Sequence, residues 1–378
     1  KLGYHSGDEI LRAFAGRLQS AVGNSGFIAR IGSNEFAVVK RDDTFKGINP
    51  RDYAKHIKSI LVKTYTALQG AESNLGVNIG IANFPDHGDN AETLMQHADV
   101  ALQIAKYQGK NVVLVYSAEL HKQHQDMSEM EQQFREAIEK NHLSLHVQPI
   151  VDLKTGDIVK CEALARWKKA DGSFVSPEVF IPLAERTDLI FPFGEWLIAE
   201  ACSAIEKLKA ASLDIRLAIN ISGRQVADLA LLKQIQTALK NRYIDPNNLS
   251  IELTESVFID SLDTVSILLN ELRSMGITIS IDDFGTGFCS LVYLKKLPID
   301  ELKIDRSFVS ELENNTDDQA IIQAILGLAD NLNINIIAEG IENAAQQNFL
   351  LAHNCAFGQG YLFERPQSVE SFIDKINK

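Results

Sequence analysis

The chain has 378 residues, enough for two or three domains. Its residues are 45% hydrophobic and 23% charged, which is ordinary for a globular protein. The formal net charge is −13 at pH 7. The acidic balance argues against DNA or RNA as a partner, because nucleic-acid binding needs a basic face. No apolar run reaches the roughly 18 residues of a membrane span, so we expect no membrane contact from this fragment.

The first part of the chain, residues 1–116, has the pattern of a small α/β domain. Apolar residues recur at helical spacing over 7–22, and two strand-like runs over 26–40 predict a hairpin that turns at 32–34. Two further helices then alternate with two strands. Residues 117–130, SAELHKQHQDMSEM, are polar and helix-prone without a clear apolar stripe, and we interpret them as a linker helix.

The second part of the chain, residues 131–378, alternates short apolar runs with helical segments. Eight runs are strand candidates: LSLHVQPIV, IVKCEALARW, IRLAINIS, LSIELTE, ITISIDD, ELKIDRS, INIIAEGIE and FGQGYLF. Strand–helix alternation implies parallel strands, and eight of them over about 250 residues predict a closed (β/α)8-type barrel. The turn DLKTGD at 152–157 is too short for a parallel crossover. We therefore predict a barrel with one antiparallel strand.

Most of these predicted strands end at polar residues that can bind a cation or a phosphate. They are Glu162, Arg166, Asn220, Glu252, Glu255, Asp282, Asp283, Lys303, Asp305, Glu339, Glu342 and Gln359. In barrels of this class the strand ends at one face build the active site. These residues are far apart in sequence, but a closed barrel would bring them together.

The acids in this set predict a metal site. Crowded carboxylates repel one another and raise one another's pKa values, and a divalent cation removes that conflict. Oxygen ligands without thiolates suit Mg²⁺ or Mn²⁺ rather than structural zinc. The adjacent Asp282 and Asp283 could also bridge two ions, an arrangement that clamps a phosphodiester and activates water.

Each of these residues also has a purely structural interpretation. A carboxylate such as Glu252 or Asp282 at a strand end can cap the next helix, Lys303 can form a surface salt bridge, and Glu339 can be a turn residue. Helix capping does not explain why acids, one Asn and one Lys occur together at the same strand ends.

The motifs of residues 131–378 resemble the EAL domain family. They are VQPIVDLKTG, CEALARW, INIS, IELTES, IDDFGTGF, LKIDRSF, IAEGIE and GQGYLF, in the order of that family. The resemblance implies hydrolysis of cyclic di-GMP to linear pGpG with Mg²⁺ or Mn²⁺, two ions in the active state, and inhibition by Ca²⁺. It also implies a barrel with one antiparallel strand.

The resemblance assigns roles to individual residues of this chain. The implied ligands of the first metal are Glu162, Asn220, Glu252 and Asp282, and Asp283 is implied for the second. Lys303 resembles the residue that holds the attacking water, and Glu339 the general base, so the implied catalytic set is Glu339, Lys303 and Asp283. The implied substrate-binding residues are Gln148, Leu164, Arg166 and Gln359.

The resemblance also implies a regulatory loop over residues 283–291. Glu255 looks like the residue that anchors this loop, which contains Gly285, Thr286 and Gly287. Glycines permit a segment that switches between ordered states. We expect a homodimer formed through this region. Cys289 departs from the family, which usually has a small hydroxyl residue there.

The first domain resembles the C-terminal part of a GGDEF domain, with a degenerate signature. The signature reads Gly32, Ser33, Asn34, Glu35 and Phe36. The side chain of Ser33 adds bulk where backbone must approach a phosphate, and Asn34 cannot supply a carboxylate for metal. The upstream inhibitory motif of the family is missing as well. We expect no synthesis of cyclic di-GMP; whether the domain binds GTP as a regulator, supports dimerisation or only packs stays open.

Three functions compete at this point. The first is an active cyclic di-GMP phosphodiesterase, favoured because Glu162, Asp282 and Asp283 are all present. The second is a non-catalytic cyclic di-GMP receptor, since receptors of this family usually lose some of these acids. The third is metal-assisted enolisation with Lys303 as base, which lacks an evident second base.

The location of the protein is inferred from three features. The four cysteines show no CxxC pair, which indicates reduced thiols in the cytoplasm. The chain shows no signal-peptide pattern. It opens within a polar, helix-like sequence, so we expect a fragment of a longer protein that is membrane-anchored or linked to a sensor.

Overall fold

The structure is a computed structural model that describes residues 3–41, 49–66, 72–73, 75–169, 171–228, 230–255, 257–260, 262–286, 294, 297–313 and 315–377. The chain divides into two compact units, Lys1–Met130 and Glu131–Lys378. No helix in the described residues combines the length and the apolarity needed to cross a bilayer.

The described residues of the first unit form two antiparallel strand pairs, one parallel pair and three helices that precede the helix at the unit boundary. The helices are α1 (Gly3–Val22), α2 (Pro50–Leu61) and α3 (Ala91–Gln108), and the strands are β1 (Gly26–Arg30), β2 (Phe36–Lys40), β3 (Tyr65–Thr66), β4 (Glu72–Ser73), β5 (Ile79–Ile81) and β6 (Val113–Val115). The predicted hairpin is present, with β1 antiparallel to β2. Strands β5 and β6 are parallel, and α3 connects them. Buried Leu18, Val22, Ile57 and Leu61 form the core between α1 and α2.

Helix α4 (Ala118–Glu139) is continuous across the boundary between the two units. Most of the segment predicted as a linker helix lies in its first half. Its last turns bury Phe134 and Ala137, and the Phe134 ring lies 5.0 Å from the ring of Trp167 between centroids. The polar first half and the apolar last turns explain why the sequence pattern predicted the helix but ended it early.

The second unit is a barrel of strands surrounded by helices. Its strands are β7 (Leu143–Asp152), β8 (Ile158–Lys168), β9 (Phe174–Val175), β10 (Arg216–Asn220), β11 (Leu249–Thr254), β12 (Thr278–Phe284), β13 (Glu301–Ile304), β14 (Asn335–Ala338), β15 (Phe357–Gly358) and β16 (Gln367–Ser368). Its helices are α5 (Pro177–Arg186), α6 (Ile190–Ala210), α7 (Gly223–Val226), α8 (Ala230–Asn241), α9 (Val257–Asp260), α10 (Leu262–Ser274), α11 (Arg306–Ser310), α12 (Thr316–Leu332), α13 (Ala344–Ala352) and α14 (Val369–Ile376).

The barrel closes through one reversed strand, as predicted. Among the described residues, eight strands follow one another around the barrel in the order β7, β8, β10, β11, β12, β13, β14, β15 and back to β7. Strand β7 is antiparallel to both of its barrel neighbours, β8 and β15. The other neighbours are parallel. The tight turn after β7 is the cause: Asp152 accepts hydrogen bonds from the amides of Lys154 and Thr155, so the chain reverses directly into β8.

The register between strands decides which residues share a level inside the barrel. Glu162 lies opposite Ala218, and Asn220 lies opposite Glu252. Glu252 lies in turn opposite Ser280. Side chains alternate along a strand, so residues two apart face the same side. Strands in a closed barrel are staggered, so Glu252 shares its level with Asp282 and not with Ser280. The polar residues near the carboxyl ends of these strands form one layer, with a second layer beneath it.

Candidate active site

The predicted polar residues meet at one end of the barrel. Glu162 lies in β8, Asn220 at the end of β10, Glu252 in β11, Asp282 and Asp283 in β12, Lys303 in β13, and Glu339 directly after β14. Glu162 and Glu252 are buried, and Asp282, Asp283 and Glu339 are partly exposed. The cluster is therefore reached from solvent through its two aspartates and Glu339.

The ammonium of Lys303 lies at the centre of this cluster. Its Nζ is 2.7 Å from Glu252 Oε2 and 2.6 Å from Glu339 Oε1. It is also 3.2 Å from Asp282 Oδ1 and 3.5 Å from Glu162 Oε2. Lys303 is fully buried, and a buried charge is tolerated only when it is paired. This lysine is thus a constituent of the site and not the surface ion pair that its sequence alone would allow.

Glu162 is held by two amide side chains. Asn220 Nδ2 donates to Glu162 Oε1 at 2.7 Å, and Gln359 Nε2 donates to Glu162 Oε2 at 2.7 Å. Gln359 Nε2 also lies 3.0 Å from Gln148 Oε1. Two residues predicted to bind substrate, Gln148 and Gln359, therefore lie on the same wall as the first predicted metal ligand. Gln359 Oε1 is buried and accepts no hydrogen bond from the described residues.

The carboxylates form two groups that share one aspartate. Oxygen atoms of Glu162, Glu252 and Asp282 lie within 4.8 Å of one another, and so do oxygen atoms of Asp282, Asp283 and Glu339. Glu339 was among the strand-end acids predicted to form a metal site, although the family resemblance implied for it the role of a general base and not that of a named ligand. Its position after β14, opposite the double aspartate, makes it a candidate ligand as well.

The pKa values of the carboxyl groups in the cluster indicate an excess of negative charge. Burial raises the pKa of Glu252 to about 7, against the pull of Lys303. Burial and the neighbouring Asp282 raise the pKa of Asp283 to about 6. Burial also raises the pKa of Glu339 well above its usual range, despite Lys303. The nearby ammonium groups of Lys303 and Lys160 do not compensate all of these acids, so the three carboxyls take up protons more readily than exposed ones do.

Two members of the cluster stay charged. Burial works against the ionised form of Glu162, but Lys303 and the hydrogen bonds from Gln359 and Asn220 outweigh it and lower the pKa. Burial likewise works against the cationic form of Lys303, but the surrounding carboxylates, led by Asp282, raise its pKa well above the usual value.

The residues present fit one or two hard divalent cations. Ligands of this kind are carboxylate and amide oxygens, which the cluster supplies. Glu252 Oε1 is buried and accepts no hydrogen bond from any residue that the structure describes. An unsatisfied buried carboxylate oxygen is costly, and a cation would satisfy it. The acidic cluster is therefore one that could hold a metal ion.

The segment after Asp283 is tied to the end of β11. Asp283 has φ 54° and Gly285 has φ 100°, so the backbone leaves the strand through left-handed conformations. Glu255 Oε2 accepts a hydrogen bond from the Gly285 amide at 3.2 Å, and Thr286 Oγ1 donates to the Asp283 carbonyl at 2.8 Å. The predicted anchor thus contacts the predicted loop. Gly287 and Cys289 lie outside the described residues.

The remaining predicted substrate residues follow Glu162 along β8. Leu164 and Arg166 are partly exposed. Burial lowers the pKa of Arg166, against the opposing influence of Glu162 and Tyr361. The Arg166 guanidinium donates to the Ala165 carbonyl at 3.0 Å. Both residues lie on the same strand as Glu162, two and four positions further towards its carboxyl end.

In the first unit, the signature residues Gly32 to Glu35 lie in the turn between β1 and β2, and Phe36 is the first residue of β2. Arg30 donates hydrogen bonds to the carbonyls of Gly32 and Ser33, at 3.1 and 2.6 Å. Glu35 pairs with Lys106 of α3 at 2.6 Å. The Phe36 ring packs against Phe14. The acid of this signature is therefore engaged in an ion pair with a helix of its own unit.

A second polar layer, not predicted from the sequence, lies beneath the cluster. Lys160, Ser250, Ser280 and Glu301 are buried, two residues before Glu162, Glu252, Asp282 and Lys303 respectively. Period-two alternation counted backwards from the strand ends would have found them. The strand-end criterion that selects the first layer does not select these residues, because they lie two positions earlier in each strand.

Comparison with known proteins identifies both parts of the chain. The family profile described as "EAL domain" matches residues 131–366, and "Diguanylate cyclase, GGDEF domain" matches residues 1–112. A solved structure described as "PaMucR Phosphodiesterase, c-di-GMP complex" is 42% identical, with a TM-score of 0.62, over 65% of this chain and 99% of that chain.

Two curated relatives from Pseudomonas aeruginosa extend the likeness over both parts. "Bifunctional diguanylate cyclase/cyclic di-GMP phosphodiesterase MucR" is 37% identical over 99% of this chain and 54% of that protein. "Cyclic di-GMP phosphodiesterase NbdA" is 34% identical over 98% of this chain and 48% of that protein. The chain spans about half the length of these relatives.

Proposed function

Because the chain belongs to the EAL domain family, with a GGDEF region before it, we propose that it hydrolyses cyclic di-GMP to linear pGpG. The observation that carries this proposal is the complete acidic cluster around Lys303, in two groups that share Asp282. A module that only binds the dinucleotide has no need for two adjacent ligand groups. We assign the phosphodiesterase to residues 131–378, the linker helix to 117–130 and the degenerate GGDEF domain to 1–116.

The ligands of the metal follow from the two groups. Glu162, Asn220, Glu252 and Asp282 would hold a first Mg²⁺ or Mn²⁺, and Asp283 with its neighbours a second. When bound, such ions supply charge neutralisation at the phosphate and lower the pKa of water. They would also explain how a chain with a net charge of −13 holds an anionic dinucleotide.

The protein's own groups orient the reaction. Lys303 lies 2.6 Å from Glu339, so a water that accepts from this ammonium is also within reach of the Glu339 carboxylate. The water oxygen forms a bond to phosphorus while the bond from phosphorus to the 3′ oxygen breaks. Glu339 takes the proton of the water, and its raised pKa makes it a stronger base once ionised. The released 3′ oxygen takes up a proton, which leaves linear pGpG.

The substrate-binding residues complete the assignment. Gln148, Leu164, Arg166 and Gln359 lie on β7, on β8 and directly after β15, beside Glu162. Arg166 brings a cation to the edge of an acidic site, which suits a phosphate or a guanine edge. Gln359 Oε1 accepts no hydrogen bond from the described residues, so a donor of the ligand that reaches it would satisfy this oxygen.

Regulation is assigned to the first domain and to the loop after Asp283. The first domain does not make cyclic di-GMP in this proposal, because Asn34 replaces the acid of the signature and Glu35 pairs with Lys106. It acts as a regulator, with GTP binding as one way to do so. The protein is a cytoplasmic homodimer through the second domain, and the contact between Glu255 and Gly285 links that region to Asp283.

Incubation of the purified chain with cyclic di-GMP tests the proposal, with separation of the nucleotides by chromatography. We expect pGpG with Mn²⁺ or Mg²⁺, and none with EDTA or Ca²⁺. Glu162→Gln should abolish the product. Glu206→Gln is the matched control, because Glu206 is exposed and pairs with Arg242 on the outside of the barrel. Binding of cyclic di-GMP without any pGpG, across metals and pH, would overturn the proposal in favour of a receptor.

A further inference from the structure

A buried ion pair lies directly beneath the acidic cluster. Lys160 and Glu301 are 3% and 7% exposed, and Ser250 and Ser280 beside them are 0% exposed. The interior of such barrels is usually filled by branched apolar side chains. Burying a lysine and a glutamate costs free energy that a pair of this kind often fails to recover. The presence of this buried ion pair therefore indicates a functional role for the layer.

The ammonium of Lys160 has an acceptor for each of its three N–H groups. Its Nζ donates to Glu301 Oε2 at 2.6 Å and to the hydroxyls of Ser250 and Ser280 at 3.4 Å each. Ser280 also donates its hydroxyl hydrogen to Glu301 Oε2. An ammonium has three donors and no acceptor. Its hydrogen-bonding capacity is thus used within this layer.

The same ammonium approaches Glu252 in the layer above without a hydrogen bond. Lys160 Nζ lies 3.4 Å from Glu252 Oε1, and that oxygen accepts no hydrogen bond from the residues that the structure describes. The other oxygen, Oε2, accepts from Lys303 at 2.7 Å. Glu252 is therefore compensated electrostatically on both sides, while the lone pairs of Oε1 stay available.

We propose that Glu301 is a positioning residue that acts through Lys160 on Glu252. It holds the ammonium near enough to offset part of the charge of Glu252, and it prevents the ammonium from donating to Oε1, so that this oxygen stays free to ligate a divalent cation. Ser250 and Ser280 assist by accepting the other two N–H groups. This inference rests on the proposed function, since it takes Glu252 as a metal ligand.

A purely structural ion pair makes a different prediction. If Lys160 and Glu301 only fill the barrel, any variant that breaks the pair loosens the site, and removing both partners loosens it further or equally. If Glu301 restrains Lys160, loss of Glu301 alone frees the ammonium to donate to Glu252 and compete with metal. Removing Lys160 as well then removes the competitor.

Titration of the metal-free full chain with Mn²⁺, followed by calorimetry, separates these alternatives. Glu301→Gln should weaken Mn²⁺ binding about tenfold, the range found when a partner of a metal ligand is lost. Adding Lys160→Met to Glu301→Gln should bring the Kd back towards that of the parent chain. The control is Glu370→Gln, which breaks an exposed pair with Lys207 of the same 2.6 Å length and should leave the Kd unchanged.

Three results would overturn the inference. They are an unchanged Kd in Glu301→Gln, a double variant as weak as the single one, and a parent chain that binds no Mn²⁺. The last result would also remove the metal site of the proposed function, whereas the first two would leave that function intact. Circular dichroism checks folding. If Glu301→Gln does not fold, Ser280→Ala replaces it: weaker binding than the parent supports the inference, and an unchanged Kd rejects it.

Discussion

Lys303 and Glu339 form an ion pair of 2.6 Å that joins β13 to the segment after β14 at the barrel mouth. The pair is significant because the same ammonium also contacts Glu252 and Asp282. Lys303 therefore offsets part of the negative charge of the acids, and it is placed to orient water when divalent ions are bound.

Lys303→Met should separate catalysis from metal binding. We expect hydrolysis to fall at least ~100-fold, the lower end of the range for loss of a group that acts on a transferred proton. Binding of Mn²⁺ should not weaken, because a cation that competes for the same carboxylates is removed. Steady-state kinetics and calorimetry measure the two effects. Activity within tenfold of the parent would contradict the role given to Lys303, and Lys207→Met on the surface is the control.

The contribution of Glu252 to the stability of the metal-free protein should fall as pH rises through the mildly acidic range. The folded pKa of Glu252 is about 7, above its value of 4.5 in an unfolded chain. The folded state thus binds the extra proton, and the stability this contributes is complete below about pH 4.5 and lost as pH rises to about 7. The difference corresponds to roughly 3 kcal/mol.

Urea unfolding in EDTA, at several pH values, tests this against Glu252→Gln. The comparison cancels groups common to both chains, such as His146, whose burial lowers its pKa and gives the opposite slope. The parent should lose stability relative to the variant over this range, and Mn²⁺ should restore it. Parallel curves for the two proteins would contradict the raised pKa of Glu252.

Gly340→Ala should distort the site from the segment that follows β14. Gly340 has φ 70°, and a Cβ built there would lie 2.6 Å from Arg306 Cβ. We expect a loss of about 1–3 kcal/mol in the free energy of unfolding, with reduced hydrolysis because Glu339 is the preceding residue. Gly327→Ala is the control: no atom lies within 4 Å of a Cβ there, and Ala favours the helix by up to about 1 kcal/mol. Equal stability changes for the two variants would contradict the strain argument.

Glu255→Ala should release the segment that follows Asp283. Its carboxylate accepts the Gly285 amide at 3.2 Å, and without it the backbone of the double aspartate loses a tether. We expect kcat to fall about tenfold, as for other residues that hold metal-binding residues in place through hydrogen bonds. Glu255→Gln, which keeps an acceptor oxygen, should retain most of the activity. Sedimentation measures whether dimerisation changes in parallel; a monomeric variant with full turnover would contradict the regulatory role of this region.

The first domain should not turn over GTP. With Mg²⁺ and GTP we expect no cyclic di-GMP, because Asn34 lacks a carboxylate and Glu35 pairs with Lys106. Chromatography of the nucleotides detects the product, and its appearance would refute the assignment. Calorimetric titration with GTP then decides whether the domain binds the nucleotide as a regulator.

Much of the barrel was predictable because its signals are local. The turn at 152–157 is too short for a crossover, and β7 is antiparallel to β8 for that reason. The polar residues at the ends of the strands were equally predictable, since each follows an apolar run. The extent of α4 was harder to predict, because Phe134 and Ala137 in its last turns become buried only once the barrel has formed.

By itself the sequence determined which chemical groups stand near the ends of the strands, because alternation and turn chemistry are properties of neighbouring residues. Only the tertiary structure decided that Lys303 reaches four of the carboxylates, that Glu339 joins the two aspartates, and that Lys160 lies beneath Glu252. Those relations depend on the stagger of parallel strands around a closed barrel. Residues on strands that are distant in sequence come to the same level only when the ring of strands is complete.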